Sequence, residues 1–134
     1  MAITYTSTAD GITAGQLRGF FVGWPVAPSP ERHLELLRGS HSVELGLDGD
    51  AVVGFATAIS DGVLCAFIPL LEVLPGYRQR GIGSELMRRL LEQLGDFYMV
   101  DLCCDAGLEP FYRRLGFQTL DRGMGVRRRA ALQA

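Results

Sequence analysis

The chain has 134 residues, a length that suits one domain built around one hydrophobic core. Its composition, 48% hydrophobic and 21% charged, is that of an ordinary globular protein, and its formal net charge of -2 at pH 7 argues against nucleic acid as the main partner. No stretch is long and apolar enough to span a membrane, and residues 1–10 lack the basic start and apolar region of a signal peptide, so we expect a single cytoplasmic domain over residues 1–134.

The first forty residues predict a short strand followed by two helices. Residues 3–6 alternate apolar side chains with threonine, which is typical of a strand. Apolar side chains at positions 17, 20, 21 and 24 have the spacing i, i+3, i+4, i+7 and predict a first helix over residues 17–24. Residues 29–31, Ser-Pro-Glu, have the residue types of an N-cap and a first turn, so a second helix should run to about Arg38 and end at Gly39.

The middle of the chain predicts a hairpin and then a buried strand. Residues 43–47 and 52–59 have the pattern of strands, and Asp48-Gly49-Asp50 between them favours a hairpin turn. After a second turn, residues 63–74 are apolar almost throughout, as in a central strand covered on both faces. Pro69 removes a hydrogen-bond donor from this strand, so we expect a bulge or an irregularity there.

The last third predicts two helices, each after a strand. Residues 83–94 are the clearest helix because positions 82, 86, 90 and 94 are all isoleucine or leucine. Residues 97–104 predict a strand, residues 108–115 a helix, and residues 117 to about 128 a last strand. Short turns make the middle strands antiparallel, and the strand–helix–strand unit predicts a parallel crossover. The expected fold is α/β, with a mixed sheet of about six strands and helices on its faces.

The segment between the buried strand and the clearest helix has the features of a phosphate-binding loop. It reads Arg78-Gln79-Arg80-Gly81-Ile82-Gly83-Ser84. The first turn of a helix has backbone N–H groups without internal partners, and its dipole favours an anion. Gly81 and Gly83 carry no Cβ, so a pyrophosphate can approach the main chain, and the two arginines add charge. The segment therefore predicts a large phosphorylated cofactor, and the absence of GxxxxGK[ST] and GxGxxG disfavours a nucleotide.

The three cysteines, Cys65, Cys103 and Cys104, predict reduced thiols. Their number is odd, and adjacent residues of a strand point to opposite faces, so Cys103 and Cys104 do not readily form a disulfide. The sequence has no CxxC pair or Cys/His cluster, so no metal site is expected. We expect buried or half-buried thiols, as in a cytoplasmic protein.

Two motifs, taken with the order of the elements, resemble the GNAT superfamily of acyl-CoA-dependent N-acetyltransferases. Arg78-x-x-Gly81-x-Gly83 matches the family pattern Q/R-x-x-G-x-G/A. Pro110-Phe111-Tyr112-Arg113-Arg114-Leu115-Gly116-Phe117 is similar to the late helix of the family, with its tyrosine and its Leu-Gly-Phe ending. The two motifs are separated by a strand, and the resemblance covers nearly the whole chain.

The resemblance implies a GNAT-type fold in which the fourth and fifth strands splay apart and acetyl-CoA, or another acyl-CoA, lies in the gap. Backbone amides of the Arg78–Ser84 segment would hold its pyrophosphate. The main chain of Leu71 to Val73 would pair with the pantetheine arm like an added strand. Many family members have asparagine seven residues before the tyrosine, where this chain has Asp105. An ionised aspartate accepts but does not donate a hydrogen bond, so this cofactor contact would differ.

The implied reaction is the direct transfer of an acetyl group from acetyl-CoA to a primary amine of a small molecule or a peptide. Tyr112 matches the general-acid tyrosine of the family and would protonate the leaving thiolate. The alternative is a core tyrosine with its hydroxyl at the surface. A main-chain N–H near Val73 would stabilise the oxyanion. Glu72 is the candidate base because an ionisable group in an apolar strand needs an explanation. It also fits a binder of the substrate cation, or a side chain that simply points to water.

Several questions stay open at this point. Weaker candidates for the base are Glu44, Asp61, His33 and His41, and a relay through ordered water would leave no trace in the sequence. The helical spacing of the aromatic residues at positions 20, 21 and 24 is more often that of core packing. If they line the acceptor site, they suit a small aromatic or hydrophobic amine, while a peptide or protein N-terminus is equally allowed. The alternative function is a non-catalytic acyl-CoA-binding sensor. A homodimer is expected from the resemblance alone.

Overall fold

The computed structural model describes residues 2–123, and a single five-stranded sheet lies at the centre of this part of the chain. Its strands are β1 Thr4–Thr6, β2 Ser42–Asp48, β3 Ala51–Ser60, β4 Cys65–Val73 and β5 Met99–Asp101. The α-helices of the same range are α1 Pro30–Gly39, α2 Ile82–Leu94 and α3 Glu109–Arg113. Within it, no helix is long and apolar enough to cross a membrane.

The sheet is mixed, as predicted. Its strand order is β1-β2-β3-β4-β5; the first four strands pair antiparallel with their neighbours, and β5 pairs parallel with β4. Helix α2 connects these two parallel strands, which is the predicted crossover. The predicted α/β class is therefore confirmed, with five strands in the described range instead of about six.

Helices cover both faces of the sheet. Neighbouring residues of β3 point to opposite faces, so this strand contributes side chains to the core on each side. On one face, Phe55 packs with α1 and with the apolar residues of positions 17–21. On the other face, Ala56 and Ala58 pack against α2, whose buried side chains are Ile82, Leu86, Met87, Leu90 and Leu94. Gly54 lets α2 come close to β3, since an added Cβ there would lie 3.0 Å from Leu86 Cδ1.

The prediction of a first helix over residues 17–24 is wrong. Only a 3-10 turn forms nearby, at Ala14–Gln16, and Gly19, Phe21 and Gly23 have φ angles of 89°, 62° and 83°. Positive φ angles do not occur in a right-handed helix. Phe20 and Phe21 are nevertheless buried, whereas Trp24 is half exposed. The apolar spacing therefore marked burial correctly but not helical structure.

The C-terminal elements are shorter than predicted. β5 has three residues and α3 has five, and the chain between them contains a 3-10 turn at Ala106–Leu108. Residues 117–123 contain no strand, and the remainder of the predicted last strand lies outside the described residues.

Strand β4 is covered less completely than predicted. Phe67 is 40% exposed, so the expectation of a strand buried on both faces is wrong at this end of β4. The irregularity expected at Pro69 is confirmed, because the register of β3 against β4 shifts between Thr57 and Ile59, opposite Ile68 and Pro69.

Candidate active site

Strands β4 and β5 separate after three paired residues. Cys65–Phe67 of β4 pairs with Met99–Asp101, and β4 then continues to Val73 without β5 beside it. The predicted splay between the fourth and fifth strands is therefore present, and it opens one edge of β4 between residues 68 and 73.

The open edge of β4 presents main-chain groups of Leu71 and Val73. Leu74 donates its N–H to the carbonyl oxygen of Val53 in β3, at 2.8 Å. Because successive N–H groups of a strand point to opposite sides, those of Leu71 and Val73 point away from β3. Arg78 Nε donates to the carbonyl oxygen of Val73 at 3.1 Å. A ligand that carries amide groups can therefore bind along this edge as an added strand would.

The N-terminus of α2 lies next to this edge and offers further donors. A Cβ on Gly83 would lie 3.7 Å from Val73 Cγ2. Gly81 is the N-cap, and Glu85 donates to its carbonyl oxygen at 3.0 Å, so the N–H groups of residues 82–84 have no acceptor within the helix. Gly81 has a φ of 77°, and a Cβ there would meet no atom of residues 2–123 within 4 Å. These donors, the helix dipole and the open space fit a pyrophosphate.

The acidic side chain in the first turn of α2, Glu85, forms ion pairs with Arg88 and Arg89, which offset its negative charge beside the loop. Hydrogen bonds from Arg88, and then from Arg89, lower the pKa of Glu85 to about 2. The guanidinium of Arg80 lies 5.3 Å from the centroid of the Tyr77 ring. Gln79 shares the left-handed conformation, with a φ of 62°. An open groove of about 640 Å³ runs along this region, lined by Gly81, Ser84, Glu85, Arg88, Leu91, Glu92, Arg114 and Leu115.

Tyr112 lies on α3, on the β5 side of the gap. Its ring contacts Phe111 and Phe117 at centroid distances of 4.9 and 5.8 Å, and it lines a cavity of about 590 Å³ together with Cys104. Burial is the main cause that raises the pKa of Tyr112, and the neighbouring Cys104 raises it further. The phenol therefore keeps its proton at neutral pH, which suits a proton donor.

Glu72 is held by main-chain groups of the segment that was expected to be helical. Its side chain lies on the sheet face of Phe55, its partner in β3, and on the opposite face from Leu71. Glu72 Oε1 accepts the N–H of Phe21 at 2.8 Å, and Oε2 accepts the N–H of Val22 at 3.3 Å. A role for Glu72 as the base stays a prediction.

The weaker base candidates have other surroundings. Glu44 is fully buried beneath α2, and His33 is fully buried with its ring 4.3 Å from that of Phe55. Asp61 accepts main-chain N–H groups in the β3–β4 turn, and His41 contacts the hydroxyl of the following serine. Burial closes the first two to a substrate, and the turn engages the carboxylate of Asp61.

The loop after β5 differs from its prediction in one respect. Cys65 is half-buried, but Cys103 and Cys104 are exposed, because β5 ends at Asp101 and these thiols follow in irregular chain. The expectation of buried or half-buried thiols is therefore wrong for this pair. Asp105 is exposed at the start of the 3-10 turn. Residues 2–123 contain no group of three or more His, Cys, Asp and Glu side chains that could hold a metal.

Sequence reasoning missed the contact between Glu72 and residues 21–22. The apolar spacing suggested a helix, in which these N–H groups would have bonded within the chain. The available signal was Gly19 and Gly23, two glycines on either side of Phe21, because glycine is unfavourable inside a helix and common in turns.

A mixed sheet that opens beside the amides of a helix N-terminus is the architecture of the GNAT acetyltransferases. The model of the acetyltransferase (GNAT) family matches residues 10–117, and the chain belongs to this family. The predicted resemblance is thereby confirmed.

Solved structures and curated sequences agree with this assignment. A candidate acetyltransferase from Deinococcus radiodurans has a TM-score of 0.88 and 49% identity, over 94% of this chain and 88% of that one. A GNAT-family acetyltransferase from Streptococcus pneumoniae has a TM-score of 0.78 and 32% identity, over 96% and 99%. The histone acetyltransferase TAP1 of Glycine max is 32% identical over 77% of this chain and 50% of its own length. The chain spans about half the length of the curated relatives it matches.

Proposed function

We propose that this chain is an N-acetyltransferase that moves an acetyl group from acetyl-CoA to a primary amine of a small molecule or a peptide. The observation that carries the proposal is the continuity between two sets of donors. The amides of residues 82–84 lie next to Val73, and the N–H groups of Val73 and Leu71 follow along the open edge of β4. A ligand with a pyrophosphate at one end and an amide-bearing arm fits this line, and acetyl-CoA has both.

In the proposed reaction the neutral amine attacks the thioester carbonyl carbon directly. The new C–N bond forms, the C–S bond breaks, and the proton of the attacking nitrogen passes to water. The N–H of Val73 stabilises the oxyanion that develops on the carbonyl oxygen. Tyr112, whose phenol is protonated at neutral pH, donates its proton to the departing thiolate and regains one from water, which has taken up the proton of the amine.

The experiment compares turnover by the wild type, Tyr112→Phe and the control Tyr98→Phe. Tyr98 is 82% exposed, so its hydroxyl serves as a matched control. The panel contains small aromatic amines, aliphatic amines and peptides with free N-termini or lysines, since one relative is named a histone acetyltransferase. Loss of thioester absorbance is the appropriate signal, because the exposed Cys103 and Cys104 would react with thiol reagents.

We expect Tyr112→Phe to lower kcat on the order of a hundredfold or more, and Tyr98→Phe to leave it unchanged. Equal turnover by wild type and Tyr112→Phe would remove Tyr112 from the mechanism. Titration calorimetry with acetyl-CoA and with ATP tests the binding step separately. Tight binding of acetyl-CoA without acetylation of any amine would favour the sensor, and preference for ATP would contradict both functions.

A further inference from the structure

The carboxylate of Glu72 is engaged on both oxygens by one turn of the chain. Oε1 and Oε2 accept the N–H groups of Phe21 and Val22, at 2.8 and 3.3 Å. These residues are fifty-one and fifty positions away from Glu72 in the sequence. Hydrogen bonds from main-chain N–H groups to a carboxylate are among the stronger ones in proteins. Glu72 therefore ties a distant segment to the part of β4 that borders the gap.

The turn that Glu72 holds has an unfavourable backbone conformation. Phe21 has a φ of 62°, which is an outlier for a bulky side chain. Its ring is buried between the rings of His33, Phe55 and Trp24, at centroid distances of 4.9, 6.0 and 5.0 Å. The ring contacts and the two hydrogen bonds to Glu72 together hold this conformation in place.

Residues 19–26, here called the 19–26 segment, lie on the sheet face of Phe55 and Glu72, where Phe20 and Phe21 pack into the core. The opposite face is covered by α2. On the face of Phe55, a Cβ on Gly19 would lie 3.5 Å from Leu74 Cδ2, immediately after the open edge of β4. Val22, Trp24 and Val26 of the segment are 51%, 50% and 86% exposed. The segment therefore offers an apolar wall beside the main chain at which the proposed reaction takes place.

We propose that Glu72 is a positioning residue that fixes the 19–26 segment as the wall of the acceptor site, and that it does not remove the proton from the amine. The kinetic part of this inference rests on the proposed function, while its structural part does not. A general base needs a lone pair directed at the substrate nitrogen. The carboxylate of Glu72 is instead directed at two amides of its own chain, and reorienting it would release the turn at Phe21.

Trp24 provides a readout that does not depend on activity. It is the only tryptophan of the chain, so intrinsic fluorescence reports on the 19–26 segment alone. We expect Glu72→Ala to raise the acrylamide quenching constant of Trp24 towards that of the unfolded chain. Glu72→Gln should give an intermediate value, because its amide oxygen still accepts from Phe21 while its NH₂ group faces another donor at Val22. Glu35→Ala is the matched control, since Glu35 is an exposed residue whose one ion pair within residues 2–123 is with Arg32 on α1.

The kinetic readout separates positioning from proton removal. As a positioning residue, Glu72→Gln raises KM for the amine about tenfold through the loss of one charge-assisted hydrogen bond, and leaves the pH dependence of kcat unchanged. If Glu72 were the base, the same variant would lower kcat on the order of a hundredfold or more and would remove the acidic limb of the profile.

Each result decides the inference. Unchanged Trp24 quenching in a Glu72→Ala protein with wild-type circular dichroism would overturn it, and so would loss of the acidic limb in Glu72→Gln. If Glu72→Ala does not fold, the quenching of Glu72→Gln decides the structural part. If no amine is acetylated by any form, the proposed function fails, and Trp24 quenching still decides whether Glu72 holds the segment.

Discussion

His33 makes the stability of the fold depend on pH. It is 1% exposed on α1, with its ring against those of Phe20, Phe21 and Phe55. Neither ring nitrogen has a hydrogen-bond partner among the described residues. A charged imidazole in this apolar setting would have no compensating contact, and burial lowers the pKa of His33 from 6.5 to about 4. The protein therefore folds with this histidine neutral.

The sign and the size of the effect follow from the two pKa values. The unfolded chain takes up a proton on this histidine as the pH falls through 6.5, whereas the folded chain resists until about 4. Stability is therefore fully present above pH 6.5 and is lost on acidification through this window. The complete loss is about 3 kcal/mol, and about 2 kcal/mol of it falls between pH 7 and pH 5. That is a large share of the free energy of unfolding of a typical domain, which is roughly 5–15 kcal/mol.

The assay is urea unfolding at pH 7, 6 and 5, with the free energy of unfolding compared among three proteins. His33→Leu keeps the side-chain volume nearly constant and removes two unpaired buried nitrogens, so we expect it to be at least as stable as the wild type at pH 7. Its stability should fall less towards pH 5, by about 2 kcal/mol. His41→Gln, which changes the exposed second histidine, should keep the full wild-type dependence. An equal loss in wild type and His33→Leu would refute the reasoning.

Two further predictions concern the loop and the buried acid. Gly81→Ala should lower the free energy of unfolding by about 1 kcal/mol because of its φ of 77°, and should weaken acetyl-CoA binding in calorimetry, whereas Gly76→Ala, with equal space for a Cβ and no left-handed backbone, should change neither. Equal affinities of the two variants would contradict the assignment of the loop. Gln93→Met removes the Nε2 hydrogen bonds to Val43 O and Glu44 Oε2, at 2.7 and 2.6 Å, and should cost about 2 kcal/mol in urea unfolding, because it leaves a buried carboxylate with fewer donors. Adding Glu44→Met should recover part of this loss, and strictly additive losses would count against the coupling.

Elements set by local chemistry were predicted well. The period of α2, the glycines at its start and the turn at residues 48–50 all depend on neighbours in the chain, and all three are present as expected. Helix α1 likewise begins after Ser29, whose side chain accepts the N–H of Arg32, and its last residue is Gly39. Local capping and turn preferences are strong enough to act without help from the rest of the fold.

Residues 17–24 show where this reasoning fails. Their apolar spacing fits a helix, yet burial against Phe55 and α1 requires only that the side chains reach the core. The N–H groups of Phe21 and Val22 find their acceptor on Glu72 instead of within a helical turn. A tertiary hydrogen bond thus replaced the local one, and helical propensity was too weak to prevent it.

By itself, the sequence determined the class of fold, the glycine-containing loop at the start of α2 and the place of Tyr112 in the motif that resembles a known family. These features depend on spacing along a short stretch of chain. Only the tertiary structure decided which edge of β4 is open, which of its N–H groups face the gap and what the carboxylate of Glu72 holds. Those depend on strand pairing and on contacts between residues fifty or more positions apart, which no local pattern specifies.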